Sequence, residues 1–232
     1  MSFKEYFQKV ISEGRTVLTV HESKEILANL ELPVNASKLA TSAQQVKELA
    51  SEIGFPCVMK IVSKDVVHKT DFGGVVVGVR NEDDAFATYN KMIATINEKI
   101  PHATIDGVEI ENMIQDGTEV IIGATIDPIF GKVLMFGLGG ILVEILKDTS
   151  FRLIPISEKD AEAMLGDIKA SKILEGVRGR PPVDKKSLVD ILMKISQFVD
   201  AHDEIAEMDL NPVFALSKGA SIVDARIVLK GS

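Results

Sequence analysis

No tryptophan occurs among the 232 residues, tyrosine appears only twice, and cysteine appears once. A single thiol cannot close an internal disulfide or build a cysteine-rich zinc cluster, so a reducing, cytoplasmic setting is expected. The longest apolar run, residues 133–143, is too short to cross a bilayer as a helix. The first ten residues, MSFKEYFQKV, lack the apolar core of a signal peptide. Positive charge is also in deficit: the net charge is −8. That balance argues against nucleic acid or an anionic membrane as the main partner. No Gly-x-Ser-x-Gly, no Walker loop, no cysteine–histidine pairing and no repeat of 20–50 residues is found, so simple hydrolase chemistry and solenoid architecture are not signalled. His21, His102 and His202 show no ligand spacing with other donors.

What remains is an ordinary globular balance, 46% hydrophobic and 26% charged, with enough chain for a sizeable core. Apolar residues at helical spacing predict helices over 2–12, 21–31, 43–53, 82–99, 158–165 and 185–199. Thr41 or Ser42, Asn81, Ser157 and Asp184 stand where N-caps belong. Strands are expected over 107–114, 118–127, 132–137, 141–146, 151–156, 204–216 and 221–229, after two earlier ones in the stretch described next. Cys57 lies in an apolar strand and reads as a small core residue. The pattern predicts an α+β protein of two lobes with a seam near residues 108–113. The expected division is a helical segment over 1–20, a small lobe over 21–108 and a large lobe over 109–232.

The stretch around which the chain is organised is GFPCVMKIVSKDVVHKTDFGGVVVGVR, residues 54–80. It predicts a buried strand, a polar loop and a second strand. Lys60 precedes the loop, His68 lies within it, and Gly73 and Gly74 close it. Paired glycines let backbone N–H groups approach phosphate oxygens, a strand lysine supplies positive charge, and an imidazole can carry a phosphoryl group. The same stretch also fits a plain β-hairpin whose polar loop carries a solvated histidine.

The C-terminal hairpin is informative too. A two-residue turn centred between Lys218 and Gly219 would pair Val213 with Asp224. Alternation then puts Glu207, Asp209, Asn211, Val213, Asp224 and Arg226 on one face. Leu210, Pro212, Phe214, Val223, Ala225 and Ile227 take the other. Asn211 and Asp224 become diagonal neighbours, an oxygen-donor pair suited to Mg²⁺. A polar outer face without metal satisfies the same pattern. GLGG at 137–140 reads as a tight turn between strands, and Glu144 as the partner of Arg152.

The run at 54–80, then EVIIGATIDPIFGKVLMFGLGGILVEILKDTSFRLIPI, EMDLNPVF and VDARIVL, resembles an ATP-grasp domain over nearly the whole chain. It is most similar to the nucleotide-binding β subunits of ADP-forming acyl-CoA synthetases, relatives of succinyl-CoA synthetase. The resemblance implies two lobes with ADP or ATP bound between them. Lys60, Gly73 and Gly74 would meet phosphates, Glu111 and Met113 the adenine, and Glu119 the ribose. Asn211 and Asp224 would hold Mg²⁺, and Asp209 would face a phosphohistidine brought by a partner. His68 would relay the phosphoryl group, which favours the acetate-type enzymes. The family reaction, acyl-CoA + ADP + phosphate ⇌ acid + ATP + CoA, needs a CoA-binding α subunit with its own histidine, so an α2β2 assembly is implied. A stand-alone ATP-grasp carboxylate ligase and a regulatory nucleotide-binding module are the alternatives.

Overall fold

The computed structural model describes residues 1–63, 65–66, 69–140, 148–177 and 179–231. These form two compact units, residues 35–115 and residues 1–34 with 116–232. The expected strand over 141–146, with Glu144, and the expected relay residue His68 lie outside the described residues.

The smaller unit is a four-stranded antiparallel sheet with two helices on one face. In chain order it contains β1 (Ser37–Ala40), α1 (Ala43–Ile53), β2 (Cys57–Ser63), β3 (Val75–Val79), α2 (Glu82–Lys99) and β4 (Ile105–Asn112). The spatial order of strands is β1-β4-β2-β3. Each helix begins where its sequence places a cap. Ser42 accepts the Gln45 N–H and Asn81 accepts the Asp84 N–H, which satisfies amides the helix itself cannot. Gly54, at φ 96°, ends α1 in a conformation that costs an L side chain dearly. Cys57, Met59 and Ile61 alternate inward from β2 onto Val46, Ala50, Met92 and Ile96 of the helices. Burial pushes the Cys57 thiol up to about 11, with Asp84 adding to it, so this cysteine is packing rather than a nucleophile.

The larger unit carries an antiparallel sheet ordered β10-β8-β5-β6-β7, with β9 added to β8. Its strands are β5 (Thr118–Asp127), β6 (Gly131–Leu138), β7 (Thr149–Leu153), β8 (Ile205–Ala215), β9 (Ala220–Ile222) and β10 (Ala225–Leu229). Asp127 makes the β5–β6 turn by accepting the N–H groups of Ile129 and Phe130. Among the described residues the unit also carries the α-helices α3 (Phe3–Ser12), α4 (Val20–Asn29), α5 (Glu158–Asp167) and α6 (Lys185–Ala201). Val120, Ile122, Leu134, Phe136 and Leu210 line the inner face of the sheet and share one core with Leu188, Ile191, Leu192 and Ile195 of α6.

The compact units divide differently from the expected three-part chain. Residues 1–20 are not a separate segment: Phe7, Val10 and Leu18 enter the core of the larger unit. Leu18 also donates its N–H to Ile227 of β10, and Ile222 donates to Pro33. The expected boundary at 108–109 falls inside β4, which pairs with both β1 and β2 and cannot be cut without breaking the sheet. Arg152 pairs with Asp167 of α5; the expected pairing with Glu144 falls outside the described residues.

One ion pair anchors the N-terminal helices. Both Arg15 guanidinium nitrogens reach Glu22 at 3.0 Å, while Glu22 closes a capping box with Thr19. The Arg15 hydrogen bonds hold the Glu22 carboxyl down at about 2, against the opposing effect of burial. A depressed carboxyl contributes stability above its ordinary value and loses it as pH falls through the folded one. Glu22→Gln is therefore expected to cost about 1–2 kcal/mol at neutral pH, allowing for solvent screening. In urea melts, the gap from wild type should close between the ordinary 4.5 and about 2.

Candidate functional site

The hairpin of β8 with β9 and β10 brings Asn211 and Asp224 closer than the sequence predicts. Val213 pairs with Ile222 rather than Asp224, and Leu210 pairs with Ala225. Between these pairs Asn211 stands directly opposite Asp224, donating its N–H to the Asp224 carbonyl at 3.2 Å. The shift is two residues, so the face assignment of the polar pair survives it. Its cause is a longer turn. Asp184, the N-cap of α6, donates its own N–H to Leu216 and accepts the Gly219 N–H at 2.8 Å, which locks a four-residue connection over 216–219. The Gly219 N–H, followed by that of Ser187, holds the Asp184 carboxyl below the ordinary range.

The expected alternation also breaks at this level. Val213 is buried in the core and Phe214 is only half-buried, the reverse of expectation. Opposite them, the register of β5 against β8 shifts between Val120 and Ile122, which turns the inward row from Met208 and Leu210 to Val213 and Ala215. Asn211 sits at this break, exposed beside the half-buried Asp224.

Asp209 lies one alternation from Asn211, between Gly123 of β5 and Arg226 of β10. Burial raises its carboxyl above the ordinary range, Glu207 and Asp224 add to the rise, and Arg226 offsets part of it. A cavity of about 370 Å³ opens over Asp209, Asn211 and Asp224, walled on its other side by residues 17–20. Charging Asp209 costs the folded state, so Asp209→Asn is expected to raise the melting temperature at neutral pH. The difference should vanish in acid once the wild-type carboxyl is protonated, which scanning calorimetry across pH would check.

The smaller unit holds the expected phosphate residues. Lys60 projects from the sheet face opposite the helices, and its ammonium lies 2.6 Å from a carboxylate oxygen of Glu111. Glu111 is 1% exposed. Its side chain pairs with Lys60 here, whereas the resemblance implies a contact with an adenine amino group. Lys60 is also cross-strand to Glu109. The glycine pair is likewise occupied: Gly73 donates to the Thr70 carbonyl and Gly74 to that of Lys69, at 2.7 Å for the latter. A Cβ on Gly74 would stand 3.0 Å from the Lys69 oxygen, so the residue is needed for the turn itself. Contact between these amides and phosphate requires the turn to open. Met113 donates its N–H to Pro56 and lines a cavity of about 610 Å³ with Val77, Gly78, Arg80 and Gln115.

In the larger unit, Glu119 is exposed at the start of β5. The Gly139 N–H donates to its carbonyl at 2.7 Å, and a Cβ on Gly140 would lie 3.0 Å from its carboxylate. The GLGG run therefore fits against Glu119, a link that spacing in the sequence does not disclose. Among the described residues no cluster of three or more histidine, cysteine or acidic side chains could hold a metal ion. The oxygen pair Asn211–Asp224 instead suits Mg²⁺, which takes one or two protein ligands and completes its shell with phosphate and water. No helix among the described residues is long and apolar enough to cross a membrane.

The ATP-grasp domain family matches residues 9–229. The beta subunit of ADP-forming acetate–CoA ligase II from Pyrococcus furiosus is 46% identical over 97% of this chain and 96% of its own. An acetyl-coenzyme A synthetase 1 chain of Ca. Korarchaeum cryptofilum, in complex with coenzyme A and Ca-AMPCP, superposes with a TM-score of 0.91 and 43% identity, covering 99% of this chain and 100% of that one. A second structure of that enzyme, with coenzyme A and Mg-AMPPCP, has its phosphohistidine segment pointing towards the nucleotide binding site. It superposes with a TM-score of 0.86 and 41% identity over 99% of this chain and all of the other.

Proposed function

Since the chain belongs to the ATP-grasp family, among the β subunits of ADP-forming acetate–CoA ligases, we propose that it binds ADP and passes to it a phosphoryl group received from a partner subunit. The overall reaction is acyl-CoA + ADP + phosphate ⇌ acid + ATP + CoA. The observation that carries this reading is the direct pairing of Asn211 with Asp224, one alternation from Asp209, above an open cavity.

Asn211 and Asp224 would hold Mg²⁺, which when bound offsets the charge of the nucleotide phosphates. Lys60 adds a fixed positive charge to the same phosphates, and Glu111 keeps its ammonium in place. Met113 offers its backbone to the adenine, Glu119 a carboxylate to the ribose, and the turn at Gly73 and Gly74 opens onto phosphate. Asp209 faces the partner's phosphohistidine and orients its ring through an N–H.

The chemistry is two displacements at phosphorus. A neutral nitrogen of His68 attacks the phosphoryl group, forming one N–P bond as the bond to the partner's imidazole breaks and leaves its electron pair there. A β-phosphate oxygen of ADP then attacks, forming the new P–O bond of ATP as the bond to His68 breaks. The partner is a CoA-binding α subunit, and an α2β2 assembly gives each β chain one donor histidine.

The test is to mix the purified chain with its α subunit and follow ATP formation from acetyl-CoA, ADP and phosphate. ATP should form only with both chains and Mg²⁺ present. Turnover of a carboxylic acid and ATP by this chain alone would overturn the reading in favour of a stand-alone ligase. Nucleotide binding without transfer in the mixture would favour a regulatory module.

A further inference from the structure

The outer face of the large sheet, opposite α5 and α6, divides into two chemically distinct halves. Toward β8 and β10 it carries Glu207, Asp209, Asn211 and Asp224. Toward β6 and β7 it is apolar. Phe151 pairs with Met135 and Leu153 with Val133, and all four point to this face because Ser150 and Phe136, their alternates, point inward. The β5–β6 turn adds Ile129 and Phe130. Exposure here is high: 82% for Ile129, 67% for Phe130, 53% for Phe151 and 56% for Leu153. Apolar side chains gathered in this way, on a face that no helix among the described residues covers, mark an interaction surface.

The surface is not isolated from the site. A cavity of about 300 Å³ beside Phe130, Phe151 and Leu153 shares Thr125, Val133 and Phe151 with a second of about 320 Å³. The second shares Asp209 and Asn211 with the cavity over Asp224. Gly123 lies on the floor of this path, directly beside Asp209, and the missing side chain keeps the floor low. One trough therefore runs from an apolar rim to an acidic end.

We propose that the rim formed by Ile129, Phe130, Val133, Met135, Phe151 and Leu153 is the landing surface for the histidine-bearing segment of the partner subunit. The inference rests on the reading given under Proposed function. Free phosphate has no use for an apolar rim, and the adenine is assigned to Met113, whereas a polypeptide segment can bury such a rim. The acidic end suits an imidazole, which can donate an N–H to a carboxylate such as Asp209. A segment seated on the rim has its tip at the Asn211–Asp224 pair, so the rim and the site are engaged by the same element. The rim holds the segment by apolar contact, and the acidic end orients its ring.

The experiment is single-turnover phosphoryl transfer from the phosphorylated α subunit to ADP, measured against α-subunit concentration. Wild type, Phe151→Asp and Phe130→Ser are compared, the last lying in a turn where folding is not at stake. Each variant should need at least about tenfold more α subunit for half-maximal transfer, because a buried aromatic contributes on the order of 1.4 kcal/mol or more at an interface. ADP affinity, read by titration calorimetry, should stay within about twofold of wild type. An unchanged dependence on α-subunit concentration would overturn the rim while leaving the function intact. So would a parallel loss of ADP affinity, or a change confined to self-association of this chain, which would make a second copy the occupant. Absence of transfer in the wild type would instead overturn the function, and the rim with it.

Discussion

Asp224→Asn is expected to lower phosphoryl transfer to ADP by about 10²–10³-fold at millimolar Mg²⁺. The substitution keeps the size of the side chain and an oxygen able to accept the Ala225 N–H, now 2.8 Å from the carboxylate. The strand contact with Asn211 runs through the backbone and is retained as well. What is lost is one negative charge on an oxygen that would face the proposed Mg²⁺, and with it affinity for that cation. The Mg²⁺ concentration for half-maximal rate should therefore rise at least about tenfold, and high Mg²⁺ should restore part of the activity. Folding should be unchanged in calorimetry. A variant with the wild-type Mg²⁺ dependence would show that the pair is only a polar strand edge, the plainer reading that its sequence pattern also allows.

His68→Ala is expected to reduce transfer to ADP by at least about a thousandfold while leaving ADP binding in place. The two effects separate because a relay histidine acts on the phosphoryl group, whereas the nucleotide is held by other residues. After incubation of the complex with [γ-³²P]ATP, wild type should carry acid-labile, base-stable label on both chains. The variant should label neither, since the reverse reaction also starts at His68. Label on the partner at the wild-type rate would mean direct transfer, and His68 would then be an ordinary residue of a polar loop. Asp209→Asn differs from both: it should raise stability at neutral pH, because it removes a carboxylate whose charge burial disfavours.

Local chemistry made most of the secondary structure legible. Asn81, Ser157 and Asp184 cap their helices where expected, because a short polar side chain before an amphipathic stretch has few other uses. Helix α2 spans Glu82–Lys99 and strand β5 spans Thr118–Asp127, both with the predicted limits. Period and punctuation are properties of neighbouring residues, and they need no knowledge of the fold. The pairing of Asn211 with Asp224 was legible for a related reason. Two residues on one face of a hairpin stay together under any even shift of register, so a wrong turn length did no harm.

Other features depend on groups far apart in the chain. The length of the 216–219 turn is set by Asp184, more than thirty residues away, and no turn propensity contains that contact. The burial of Val213 in place of Phe214 follows from a register shift against β5. Glu111 reads as a strand acid beside a hinge, and only strand pairing puts its carboxylate on Lys60. The unit boundaries were misplaced because β1, β2 and β4 join through hydrogen bonds between distant residues.

By itself, then, the sequence determined the helices and their caps, the packing role of Cys57 and the placing of Asn211 and Asp224 on one face of the C-terminal hairpin. Each of these is decided by side chains within a few residues or by alternation along one strand. Tertiary structure alone decided the turn register, the partner of Lys60, the bonding of Gly73 and Gly74, and the trough from Phe130 to Asp224. Those outcomes rest on which backbone N–H and carbonyl groups find partners across the fold, and that pairing exists only once the chain has closed on itself.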